Sequence, residues 1–123
     1  MNTERRRFTR IPFKGMAHLQ RSSGAQSVPV QVLDVSFKGA LVEVSEAADV
    51  VMGDTGTLIL QLGQGEECIA MLVEVAHVAG LQAGLQCRGI DLDSVTHLRR
   101  LLAVNSGDPA LLERDLKALL TPP

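Results

Sequence analysis

The chain has 123 residues, of which 46% are hydrophobic and 21% charged. That is enough for one domain with one modest core, and too apolar for a disordered polymer. The formal net charge of −2 conceals an asymmetry: Arg5, Arg6, Arg7, Arg10 and Lys14 against Glu4 give residues 1–14 a balance of +4, which leaves −6 for the remainder. A basic arm on an acidic body favours a phosphate-bearing ligand or an anionic surface. No apolar run approaches the length of a membrane-spanning helix. The arginines lead into Phe-Thr-Arg-Ile-Pro and not into the apolar stretch of a secretory leader, so a cytoplasmic location is expected. Cys68 and Cys87 fit no zinc spacing and no disulfide framework. Buried, reduced thiols are expected.

Residues 1–12 form the predicted basic arm, polar up to residue 10 and ended by Pro12. Residues 13–20 alternate loosely and predict a first strand, closed by a turn at Ser22, Ser23 and Gly24. Val28, Val30 and Val32 fall on one face of a second strand, with Asp34 next in the same register. A short turn over Ser36 to Gly39 leads to Ala40, Val42 and Val44. After a polar loop over 45–56, Leu58, Leu60 and Leu62 restart the period of two. Gly63 and Gly65 mark a hairpin. Ile69, Met71, Val73 and Val75 continue on one face of a long strand, and His77 follows on that face. Gly80 breaks it, and Leu85 and Cys87 alternate with polar neighbours in the last strand. Many short strands with glycine turns predict a closed or nearly closed antiparallel barrel over 13–92.

The period then lengthens to that of a helix, in a C-terminal segment over 93–123 packed on the same domain. Val95, Leu98, Leu101 and Leu102 share a stripe, Asp93 or Ser94 is placed to cap it, and Asn105, Ser106 and Gly107 stop it. Asp108-Pro109 predicts a second helix with Leu112, Leu116, Leu119 and Leu120 on its apolar side. Two roles are open for the helices, docking a partner protein or plugging the barrel floor, and leucine stripes of this kind need burial, which favours the plug.

Two motifs stand out. Arg6-Arg7-Phe8-Thr9-Arg10 has RxxxR spacing and is preceded by Arg5. Asp34-Val35-Ser36-Phe37-Lys38-Gly39 has DxSxxG spacing. Either alone is weak, the first being a common surface arrangement and the second a common hairpin turn. Phe13 and Phe37 are expected in the barrel core. The histidines His18, His77 and His97 show no metal-ligand or triad spacing, and no glycine-rich phosphate loop precedes a helix. No catalysis is expected.

Together the motifs resemble the PilZ family: an arginine arm before the first strand, DxSxxG at a strand junction, Ile11-Pro12 after the arm, and Gly84-Leu85 at the start of the last strand. The resemblance covers the whole chain. It implies a mainly β fold, a six-stranded antiparallel PilZ barrel with a flexible N-terminal arm and C-terminal helices. It also implies a site for cyclic di-GMP at the barrel rim, with Arg6, Arg10, Asp34, Ser36 and Gly39 at the matching positions. Arg5, just before RxxxR, goes in that family with two intercalated ligand molecules in place of one. A ring-bearing residue near the position of His77 can stack on guanine.

The chemistry is consistent with that ligand. A guanidinium fork matches the paired O6 and N7 acceptors of guanine, pairs with phosphate, or lies flat on a purine. Ionised Asp34 only accepts, which suits the guanine N1–H and N2–H₂ donors. Ser36 both donates and accepts, and Gly39 lets backbone and ligand approach closely. The resemblance therefore implies a monomeric receptor without a cofactor, acting through a partner protein in motility, chemotaxis, pilus or biofilm control. Neither nucleic acid nor membrane is expected as a partner. Two rivals remain. One is a barrel that binds single-stranded nucleic acid, against which the acidic body and scarce aromatics count. The other is a protein-interaction module that has lost its ligand.

Overall fold

The computed structural model describes residues 11–22, 27–46, 50–62, 67–106, 110, 114 and 117, with side chains for those from 15 onward except residue 106. Six strands, β1 (Ile11–Arg21), β2 (Val28–Ser36), β3 (Gly39–Val44), β4 (Thr55–Gln61), β5 (Cys68–Ala79) and β6 (Gln82–Ile90), precede helix α1 (Leu92–Ser106). The strands close into an antiparallel barrel in the order β1-β2-β3-β6-β5-β4. Closure leaves each strand a partner on both sides, the solution a small sheet has for its edges.

Alternation sets the inner face. Val30, Val32, Val42, Met71 and Val73 are essentially without solvent contact and fill the barrel. Phe37, 1% exposed at the β2–β3 turn, also packs into this core, as expected of it. The first strand begins two residues earlier than predicted. Pro12 lies inside β1, paired with Asp34, and does not terminate the arm outside the barrel. A bulge between Pro12 and Gly15 makes the proline tolerable there, because the regular ladder is interrupted.

Helix α1 packs on β5 and β1 and sends Leu98 and Leu102, both fully buried, into the barrel core. Each such leucine contributes about 1.5–3 kcal/mol by burial. The cap is Asp91, where the sequence pointed to Asp93 or Ser94. Asp91 Oδ2 accepts the Ser94 backbone N–H at 3.0 Å, and Oδ1 accepts the Ser94 hydroxyl at 2.7 Å. Ser94 Oγ in turn accepts the N–H of Ala70 on β5 at 2.9 Å. Ser94 thus ties the helix start to the barrel wall, which explains a serine that is only 3% exposed. Of the second predicted helix, Ala110, Arg114 and Lys117 are helical and exposed. Leu112, Leu116, Leu119 and Leu120 lie outside the described residues.

Glycine is required at one junction above all. Gly39 has φ +152°, and a Cβ there would stand 1.9 Å from the Leu85 carbonyl oxygen. Gly84 is different: its nearest neighbour to a new Cβ is His77 Cβ at 3.4 Å, an ordinary contact.

Ser94→Ala strands the Ala70 N–H and should cost about 1–3 kcal/mol in urea unfolding. The Ser94 bonds lower the Asp91 pKa. Their stabilising effect is therefore complete above the unfolded carboxyl value of about 3.9 and fades as pH falls through the lower folded value. Asp91→Asn should accordingly lose stability at neutral pH and little at strongly acid pH. In thermal melts without ligand, Gly39→Ala should cost about 3 kcal/mol or more, whereas Gly84→Ala should shift stability by less than about 1 kcal/mol.

Candidate functional site at the β2–β3 corner

The site is built by departures from regular alternation. Period two places Asp34 with Val32 on the core face, but the structure does not. Val32 pairs with Val42 and Asp34 with Leu41, so β2 carries one extra residue, Leu33, relative to β3. The bulge turns Asp34 outward and returns Val35, 1% exposed, to the core. Asp34 is half-buried on the outer face. A one-residue slip of this kind exchanges the two faces of a strand.

The same correction applies to His77. Val75 pairs with Leu85 and His77 with Gly84, so Ala76 is extra on β5 and His77 leaves the face of Val75 for solvent. A turn over Val51 to Asp54 clamps the strand just before this point. Gly53 N–H donates to the Val75 carbonyl and Val75 N–H donates to the Asp54 carbonyl, both at 2.8 Å.

The two bulges bring their residues into register. Pro12 pairs with Asp34, Asp34 with Leu41, Leu41 with Gly84, and Gly84 with His77. Residues paired across strands share a face. Asp34, Leu41, Gly84 and His77 therefore form one outer row across β2, β3, β6 and β5. Neighbouring strands lie about 4.8 Å apart, so the row spans roughly 14 Å from Asp34 to His77. Gly84 leaves a gap in its middle, between Leu41 and His77.

The rest of the second motif serves the turn. Ser36 is 1% exposed, and its Oγ accepts the Lys38 backbone N–H at 3.1 Å. This is a side-chain turn of the kind serine commonly makes. Gly39 was expected to admit a ligand, but the close approach it permits is to Leu85 on β6. The Lys38 carbonyl accepts the Cys87 N–H at 2.7 Å, which fastens the turn to β6. Lys38 itself is exposed.

Near this corner, Arg88 Nε and Nη2 both donate to Glu74 Oε1, at 2.8 and 2.5 Å. Burial raises the Cys87 thiol pKa, against the opposing effects of a hydrogen bond with the Gly89 backbone and of the positive charge on Lys38. Cys68 and Cys87 are both unbridged. Among the described residues no helix is long and apolar enough to cross a membrane, and no group of three or more His, Cys, Asp or Glu is placed to hold a metal ion.

Arg5, Arg6, Arg10 and Phe8 lie outside the described residues, as does the Phe13 side chain. The structure thus brings Asp34, Ser36 and Gly39 together at one corner, with His77 further along the row from Asp34. The register of His77 with Asp34 was missed because two bulges, neither visible in the alternation, had to be counted to find it.

The family model of the PilZ domain matches residues 4–104. In solved structures, the chain is similar to the PilZ domain of YcgR from Escherichia coli, solved with cyclic di-GMP. The TM-score is 0.69 and the identity 13%, with 95% of this chain and 99% of that chain covered. It is also similar to the PilZ domain of CeSA from a cellulose-synthesizing bacterium, at a TM-score of 0.61 and 18% identity, covering 76% of this chain and 93% of that one. Likeness at such identities is a likeness of fold, and the fold agrees with the family model: this chain belongs to the PilZ domain family.

Proposed function

We infer that the chain is a cyclic di-GMP receptor whose arm folds onto the barrel when ligand binds. The observation that carries this reading is the pairing of Ile11 with Val35 and of Pro12 with Asp34. Arg10 is one Cα step, about 3.8 Å, from Ile11. Even fully extended, the chain keeps Arg6 within about 18 Å of Ile11. The covalent root of the arm therefore lies beside the second motif, and both sets of polar groups can meet one ligand.

In this reading Arg10 takes a guanine edge, and Arg6 and Arg5 take phosphate or the second base. Asp34 accepts from guanine N1–H and N2–H₂. Adenine offers no donor pair of that kind on the corresponding edge, which gives selectivity for guanine. Ser36 shapes the turn and has its hydroxyl proton to give. His77, exposed beside the Gly84 gap, offers a planar face for a base. One ligand molecule satisfies Asp34, and the additional cation at Arg5 suits two intercalated molecules, each bringing two negative charges. Ordering the arm costs about 1–2 kcal/mol per fixed residue, which several charge-assisted bonds offset. The ordered arm then changes the surface offered to a partner protein, in motility, chemotaxis, pilus or biofilm control.

Calorimetric titration of cyclic di-GMP, cyclic di-AMP and GTP tests this reading. Wild type should bind the first selectively, and Arg10→Ala and Asp34→Ala should each weaken it by about a hundredfold. Equal affinity for all three ligands contradicts it, and salt-dependent binding of oligonucleotides in their place favours a nucleic-acid-binding barrel. His77→Ala should weaken cyclic di-GMP by about tenfold, and His77→Trp should restore or tighten binding.

A further inference from the structure

Nothing among the described residues requires glycine at position 84. Its φ is not positive. Of the described residues only His77 would lie within 4 Å of a Cβ there, its own Cβ at 3.4 Å. The extra residue of the nearby bulge, Ala76, belongs to β5 and not to the strand of Gly84. Gly39 is different, because the Leu85 carbonyl leaves it no room for a side chain. A strand glycine that neither turn nor packing demands often marks a place where a ligand comes close to the backbone. Ala83 and Leu85 are buried, so Gly84 between them faces outward. Leu41, half-buried, stands one strand away on one side, and His77, exposed, one strand away on the other. Leu41 and His77 are therefore about 9–10 Å apart across Gly84. A flat ring in van der Waals contact on both faces takes about 7–8 Å. The gap holds one ring plane.

We propose that Gly84 is the floor of a slot, walled by Leu41 and His77, that takes one guanine of the cyclic dinucleotide edge-on. This rests on the cyclic di-GMP reading above. One face of the base lies on the Leu41 side chain and the other on the imidazole, and the bare backbone of Gly84 lets its edge down between them. Asp34 stands two strands from Gly84, about 9–10 Å, beyond hydrogen-bond reach of a base in the slot. The slot and Asp34 therefore serve different guanines. The slot reads flatness and not the pattern of donors and acceptors. It contributes affinity, and leaves discrimination between guanine and adenine to Asp34 and the arginines.

The test is calorimetric titration of cyclic di-GMP into the full chain as wild type, Gly84→Val, Leu41→Ala and Leu72→Ala, with the Leu41 methyl resonances of the wild type followed by NMR. Valine suits a strand but fills the slot floor. Gly84→Val should bind at least about tenfold more weakly, with a melting temperature no lower than that of wild type. Leu41→Ala should bind about three- to tenfold more weakly and keep the guanine-over-adenine preference. Leu72, an exposed strand leucine outside the row, is the matched control, and Leu72→Ala should change affinity by less than about twofold. The Leu41 methyls should move upfield as ligand binds, because they lie over the face of a base. Wild-type affinity in Gly84→Val, equal losses in Leu41→Ala and Leu72→Ala, or Leu41 methyls that stay in place on binding overturn the proposal and leave the receptor reading intact. Where Gly84→Val lowers the melting temperature, Leu41→Ala and the methyl shifts decide. A wild type that does not bind cyclic di-GMP overturns the receptor reading and this proposal with it.

Discussion

One extra residue in β2, Leu33, decides which way Asp34 faces. Without it, the carboxylate would follow Val32 into an apolar barrel, where an unpaired charge is costly. With it, Asp34 stands on the outer face and Val35 takes the core position. A second extra residue, Ala76 in β5, does the same for His77. Because barrel closure pins every strand to two neighbours, these two slips do more than expose side chains. They bring both residues to the same register, joined through Leu41 and Gly84. The polar row is a consequence of where the barrel breaks its own rule.

The DxSxxG motif divides into parts with different physical duties. Asp34 faces outward, where the proposed reading has it accept from guanine. Ser36 closes the turn through the Lys38 amide, and Gly39 makes room for the Leu85 carbonyl. Phe37, between them, anchors the turn in the core. The corner is rigid because its serine, phenylalanine and glycine are committed to folding. In the proposed reading, this is the fixed surface against which the basic arm closes.

Much of this was legible in the sequence. Alternating valines and leucines marked each strand, and the change of period marked α1. The two motifs located the corner. What the sequence hid were the irregularities. A bulge leaves no mark in a run such as Val-Leu-Asp-Val, where apolar residues sit on both sides of the slip. Pro12 looked like a terminator and is a strand residue, because β1 bulges immediately after it. The helix cap moved to Asp91 because Ser94 was already committed to Ala70 on β5, a contact between elements 24 residues apart. Local pattern carries no information about such a partner.

The central claim is that ligand sits along the outer row with the arm folded across its Asp34 end. Backbone amide shifts of the isotopically labelled full chain, followed through a titration with cyclic di-GMP, test it most directly. The account predicts the largest changes at residues 5–10, at Asp34 to Leu41, and at His77 and Gly84, with α1 and the outer face around Ile59 and Leu72 unmoved. Changes centred on that outer face or on α1, with residues 5–10 and Asp34 silent, would contradict it.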